Sequence, residues 1–250
     1  MDIGIQSNLW GTEQHGESLP SILAEIAEAG YAGIEIGAHR FDNLDHPEVF
    51  FEMVKQNNLH VSGIHTIGKF YFDGNLDYLE KAARFTRAVE CDYLLVSGDS
   101  KKNKSRSDIK KITNVLNEAG EICKGYGIAY CYHNHAFEFE GGGEEFRALC
   151  DLTNPDLVHL CLDIGWVERS GTSPYEVAKE YRNRIRYLHL KDTLDGKFVN
   201  LGEGTVDLPA VIDLLVGNKD IYFTVELDEL VPNSLESAKK CRSYLKEMGL

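Results

Sequence analysis

The chain predicts a single (β/α)8 barrel spanning residues 1–250. Three observations carry that expectation. Eight short apolar, β-branched runs recur along 250 residues. Longer segments with helical spacing separate them, the pattern of parallel strands joined by right-handed crossovers. Eight such repeats in this length suit a closed barrel. The lesser alternative is an open doubly wound sheet, but the first run leads into Asn8-Leu9-Trp10-Gly11, without a G-x-G-x-x-G turn.

The expected strands are Asp2–Asn8, Ala32–Ile36, His60–His65, Tyr93–Ser97, Ala129–His135, Val158–Asp163, Arg186–Lys191 and Tyr222–Asp228. Between them, Leu19–Ala29 sets Leu19, Ile22, Leu23 and Ile26 on one face, and Gly30 is a natural stop. Ser107–Lys124 aligns Ile109, Ile112, Val115, Leu116, Ala119 and Ile122. A last helix over Ser234–Met248 takes Ser234 as its N-cap. Pro47, Pro174 and Pro209 fall in first turns, where a missing N–H costs little.

Composition narrows the function classes. Hydrophobic residues make up 43% and charged residues 26%, as in ordinary globular proteins. The net charge of −14 repels phosphate backbones and argues against nucleic acid as a partner. The basic run Lys101-Lys102-Asn103-Lys104-Ser105-Arg106 reads as a solvated loop. Six cysteines, none in a C-x-x-C pair and several in apolar stretches, read as reduced, buried thiols of a cytoplasmic protein. No basic-then-apolar leader and no membrane-spanning apolar run is seen, so no membrane partner is expected.

In such barrels the active site lies at the carboxyl ends of the strands. Polar residues collect there: Glu35, His65, His133, Asn134, His135, Glu138, Asp163, His189, Lys191, Asp192, Glu226 and Asp228. Several histidines among carboxylates are costly to bury unpaired, and one divalent cation removes that cost. Mixed imidazole and carboxylate donors suit Mn2+, Zn2+, Co2+ or Fe2+ better than Ca2+, as a Lewis acid on a carbonyl or hydroxyl. Trp10, Trp166, Phe70 and Tyr71 lie in or beside strand-end loops, where aromatic walls pack on sugar C–H surfaces. Lys69, in the loop after His65, can reach a substrate anion. Glu35, His65, Trp10 and Trp166 are the expected substrate contacts.

The motifs also resemble a family. Gly127 to His135, Leu162-Asp163-Ile164-Gly165-Trp166, Tyr187-Leu188-His189-Leu190-Lys191-Asp192, Leu201-Gly202-Glu203-Gly204 and Val225-Glu226-Leu227-Asp228 resemble segments of the xylose isomerase-like TIM barrels, in order and across the chain. That superfamily includes sugar epimerases, inosose isomerase and dehydratase, and endonuclease IV. The resemblance implies one metal held by His133, Asp163, His189 and Glu226, with Asp228 or Glu229 competing for the last place under a shifted register. It further implies a small sugar or polyol substrate, and a homo-oligomer is open because barrels of this kind often pair.

One position departs from the family pattern. Many members read Glu-Asn-His on strand five, where this chain reads His133-Asn134-His135. Glu138 is therefore an alternative strand-five ligand. In the epimerases two glutamates act as opposed bases, and a metal-bound histidine has no free lone pair for that work. The expectation is proton abstraction beside a carbonyl in an isomerase or dehydratase. Glu226, His135 and Glu138 are candidate bases, with Lys191 as acid or electrostatic stabiliser. The two-base epimerase, an endonuclease IV-like nuclease and a non-catalytic ligand-binding barrel are the alternatives.

Overall fold

The computed structural model describes residues 1–11, 15–41, 44–68, 74–101, 104–229 and 231–250, with backbone only over 15–18. Lys69, Phe70 and Tyr71 lie outside the described residues. The barrel strands are β1 (Ile3–Gln6), β2 (Gly33–Gly37), β3 (His60–Ile67), β4 (Tyr93–Ser97), β5 (Ala129–His133), β6 (Val158–Asp163), β7 (Ile185–Leu190) and β10 (Tyr222–Val225). They close in the order β1-β10-β7-β6-β5-β4-β3-β2, all parallel. A short antiparallel hairpin, β8 (Asp192–Leu194) and β9 (Lys197–Val199), rises from the end of β7.

Both faces of each strand are covered, so the strands are buried along nearly their whole length, polar residues such as Glu35, Ser62 and Thr224 included. Inside the barrel, Leu95, Cys131, Cys161 and Tyr187 form a small filled layer. Outside, the main core packs the strands against α1 (His15–Ala29), α2 (Pro47–Gln56), α3 (Asp77–Ala88), α4 (Arg106–Gly125), α5 (Glu140–Leu152), α6 (Ile164–Arg169), α7 (Pro174–Tyr181), α8 (Leu208–Leu215) and α9 (Ser234–Glu247). The six cysteines are buried and unbridged. Among the described residues no helix is long and apolar enough to cross a membrane.

Several expected boundaries move, each for a local reason. β5 stops at His133 because the His135 N–H goes to the Glu138 carboxylate (2.8 Å) instead of a neighbouring strand. β10 stops at Val225; Glu226 N still donates to Leu190 O (3.1 Å), and the ladder ends there. Ser234 is not the cap of α9. Asn233 accepts from Glu236 N, while the Ser234 hydroxyl donates to Leu9 O. The basic run is not simply a solvated loop. Ser105 caps α4 in a reciprocal box with Asp108, and the Lys104 side chain is 2% exposed, paired with Glu145 at 2.8 Å.

Gly120 shows how closely the outer layer packs. An ideal Cβ there would sit 2.6 Å from Leu157 O and 2.8 Å from Leu157 Cβ. An exposed helical Gly→Ala change gains about 1 kcal/mol. Here the sign reverses: Gly120→Ala forces apart α4 and the segment entering β6. We expect a loss of about 1–3 kcal/mol, seen as a melting temperature lowered by roughly 2–10 °C in a thermal circular-dichroism scan.

Candidate metal centre and active site

Four strand ends deliver one donor each to a common point. His133 closes β5, Asp163 closes β6, His189 sits in β7, and Glu226 follows β10. One ligand atom from each lies within 4.8 Å of all the others, and all four residues are buried. His133 Nε2 is 3.3 Å from Asp163 Oδ2 and 3.7 Å from Glu226 Oε2. His189 Nδ1 is 3.6 Å from Asp163 Oδ2 and 2.7 Å from Glu226 Oε2. That last pair is close, yet both atoms lack a properly aligned hydrogen bond among the described residues. Buried donor atoms this close, with no aligned hydrogen bond joining His189 to Glu226, suit a cation shared by the four residues.

Charge points the same way. Lys191 Nζ touches Asp163 Oδ2 (2.8 Å), Glu226 Oε2 (2.8 Å) and Asp228 Oδ2 (2.6 Å), and Lys191 has no exposed surface. Three carboxylates around one ammonium leave two uncompensated negative charges when the imidazoles are neutral. A dication cancels that excess. Burial alone would depress Lys191, but Asp163, Asp228 and Glu226 outweigh it and hold its pKa well above the usual lysine range. The same competition raises His133: burial opposes its charge, and the bonds to Asp163 and Glu226 favour it.

The sequence builds room for this cluster. Two residues after Asp163 stands Gly165, where a Cβ would lie 2.5 Å from Lys191 Cγ. Asp192 is turned away from the centre. Its carboxylate accepts the N–H groups of Thr193, Gly202, Gly204 and Val206 at 2.9–3.1 Å, which folds the Leu201-Gly202-Glu203-Gly204 loop onto the barrel. Phe198, in β9 just before that loop, lies under Lys191 Nζ (4.7 Å to the centroid) and edge-on to Trp166.

Beside the cluster is a cavity of about 180 Å3, lined in part by Asn8, His65, Ser97, His135, Glu226 and Asp228. His65 and His135 thus stand where a substrate can meet them. His135 Nδ1 is buried without a partner among the described residues, which leaves Nε2 to face the cavity. Burial, with His133 and Lys191 nearby, pushes the His135 imidazole down to about 3.

Other expected site residues point elsewhere. Glu35 has no exposed surface; Oε2 is 2.6 Å from His189 Nε2 and Oε1 is 3.0 Å from His65 Nδ1. It faces two histidines rather than the cavity. Burial would raise its carboxyl, but His189 and His65 pull it down to about 2. Glu138 is also fully buried, held by Tyr132 Oη and His135 N, each at 2.8 Å, and is not among the four clustered donors. Burial lifts its carboxyl to about 8. Trp10 donates to Glu25 Oε2 (2.6 Å), and Trp166 packs against His135 (centroids 5.2 Å) as a wall rather than a cavity-lining face. Ser97 and Asn8, which line the cavity, carried no sequence signal beyond ending a strand or opening a loop.

Comparison with known proteins places this arrangement in a family. Residues 23–248 match the family described as xylose isomerase-like TIM barrel. An inosose dehydratase of Geobacillus kaustophilus (strain HTA426) is 26% identical, over 90% of this chain and 85% of that protein. One of Clostridium botulinum (strain Alaska E43 / Type E3) is 29% identical, over 90% and 88%. Among solved structures, a sugar phosphate isomerase/epimerase from Parabacteroides distasonis ATCC 8503 superposes with a TM-score of 0.85 at 24% identity, covering 98% of this chain and 93% of that one. The chain belongs to the xylose isomerase-like TIM barrel family.

Proposed function

We propose that this protein is a divalent-metal-dependent lyase or isomerase of a small keto-sugar or keto-polyol, with loss of water beside a ketone as its best-supported reaction. The observation that carries the reading is the convergence of one donor atom each from His133, Asp163, His189 and Glu226, all buried and within 4.8 Å of one another. The full-length relatives named inosose dehydratase support the choice of reaction. These four residues would hold Mn2+, Zn2+, Co2+ or Fe2+, which supplies Lewis-acid polarisation of the substrate carbonyl.

The chain's own residues divide the remaining work. His135 Nε2, facing the cavity, takes the proton from the carbon beside the carbonyl. The C–H electron pair becomes a C=C bond as the C–O bond on the next carbon breaks, and the departing hydroxyl leaves as water with the proton that His135 has taken, which returns His135 to its neutral form. Lys191, held cationic among Asp163, Glu226 and Asp228, offsets the negative charge that develops in the substrate. Trp166 and Phe198 wall the site beside Lys191 and exclude water.

Three outcomes follow. Chelation abolishes turnover of 2-keto-inositols, and added Mn2+ or Co2+ restores it; turnover that survives exhaustive chelation refutes the metal requirement. His135→Asn lowers kcat by roughly 10²–10⁴-fold while bound metal stays near wild type. Loss of solvent-deuterium incorporation into substrate accompanies that fall.

Glu138→Gln separates the two candidate bases. With its carboxyl lifted from 4.5 to about 8, the folded protein keeps a proton that the unfolded chain releases. Stability from this group is therefore full below about pH 4.5 and declines as pH rises toward 8. Glutamine can still accept from His135 N and donate to Tyr132 Oη. The variant keeps kcat within a few-fold, shows a flatter melting temperature between pH 5 and 8, and melts roughly 2–8 °C above wild type at pH 8.

A further inference from the structure

Glu35 is a buried carboxylate that contacts neither Lys191 nor the four-donor point directly. It bridges two histidines that belong to different parts of the site. Its Oε2 lies 2.6 Å from Nε2 of His189, a proposed ligand, and its Oε1 lies 3.0 Å from Nδ1 of His65, which lines the cavity. On the far side of His65, Nε2 is 2.7 Å from Ser97 Oγ. The chain of contacts runs unbroken from cavity wall to metal point.

An ionised carboxylate only accepts hydrogen bonds, so each histidine must turn an N–H toward it. That fixes both tautomers. His189 carries its proton on Nε2 and keeps the Nδ1 lone pair for the centre. His65 carries its proton on Nδ1 and keeps the Nε2 lone pair toward Ser97 and the cavity. The barrel makes space for the bridge: the β2–β3 register shifts at Ile34/Glu35 so that Glu35 stands opposite Gly63. A Cβ at Gly63 would come within 3.1 Å of Glu35 Cγ.

We propose that Glu35 is a positioning residue that sets both tautomers at once, and that it thereby makes His65 a hydrogen-bond acceptor for a substrate hydroxyl. Ser97 occupies that acceptor when no substrate hydroxyl does. The ligand recognised at this subsite is a polyol hydroxyl that can donate, placed next to the reacting carbonyl. The inference rests on the proposed metal reading only through His189; the His65 half stands without it.

Glutamine tests the bridge because it has the same shape but only one accepting oxygen. In Glu35→Gln the amide N–H2 must face one histidine, which then flips its proton to the other nitrogen. Facing His189, it puts an N–H into the metal point and weakens divalent-metal affinity by roughly 10–100-fold. Facing His65, it turns the cavity acceptor into a donor and raises KM for the polyol more than tenfold with little change in kcat.

Long-range ¹H–¹⁵N spectra of ¹⁵N-histidine-labelled protein read the tautomers without relying on activity. In the metal-free wild type, His65 is expected to be protonated on Nδ1; with Zn2+ added, His189 is expected to be protonated on Nε2. The opposite assignment at either residue overturns the proposal. So does a folded Glu35→Gln variant with unchanged tautomers, Zn2+ affinity and KM. A wild type that binds no Zn2+, Mn2+ or Co2+ instead overturns the metal reading, and the His65 spectrum still decides the Glu35 bridge.

Discussion

The dominant constraint on this molecule is the concentration of negative charge at the carboxyl ends of its barrel strands. Asp163, Glu226 and Asp228 crowd around one lysine, and Glu35 lies buried between two histidines nearby. Removing so many carboxylates from water is costly unless each finds a positive or donating partner. Parallel closure creates the problem, because every strand delivers its last residue to the same face. It also creates the solution, because donors from four different strands then meet within reach of one ion.

Much of the local architecture serves that balance. Gly165 lets the Lys191 stem pass, and Gly63 lets Glu35 stand inside the wall. Asp192 spends its carboxylate on four backbone N–H groups, which fixes the loop just after Phe198, whose ring meets the ammonium. The Lys191-Asp192 pair thus has two unlike tasks. One residue compensates charge within the site, and the other organises the loop that keeps water from it. Neither task is an exposed ion pair, which would contribute little.

The barrel was legible because alternation of strand and helix is a chain-length signal that survives errors at each boundary. The four converging donors were legible in two steps: they stand among the polar residues at or just past strand ends, and the family resemblance singled them out of that set. What a side chain faces once there is harder to read. Glu35 lies in the middle of β2 and Glu138 in the turn after β5, and both read in the sequence as site groups. The bulge between β2 and β3 turns Glu35 toward two histidines, and the short turn after β5 folds Glu138 back under its own strand. A one-residue shift reverses the facing of a side chain, and nothing in local composition announces it. Ser105 and Lys104 escaped for a related reason: a basic run reads as solvated until a partner such as Glu145 arrives from a distant helix.

The histidine at position 133 gains meaning from the same charge balance. A glutamate there would add a third carboxylate donor beside Asp163 and Glu226, with Lys191 already shared among three carboxylates. With His133 the donor set is two imidazoles and two carboxylates, and the excess around Lys191 is two negative charges, which one dication cancels. A neutral ligand also leaves more of the cation's charge available to polarise a carbonyl. The cost is that strand five no longer offers a carboxylate base above the substrate. His135, two residues further on and just past the end of β5, faces the cavity instead. In the proposed reaction, a histidine at this position would therefore move proton transfer from a metal-bound carboxylate to an imidazole outside the coordination set. That arrangement suits removal of a single proton from one face better than its return to the other.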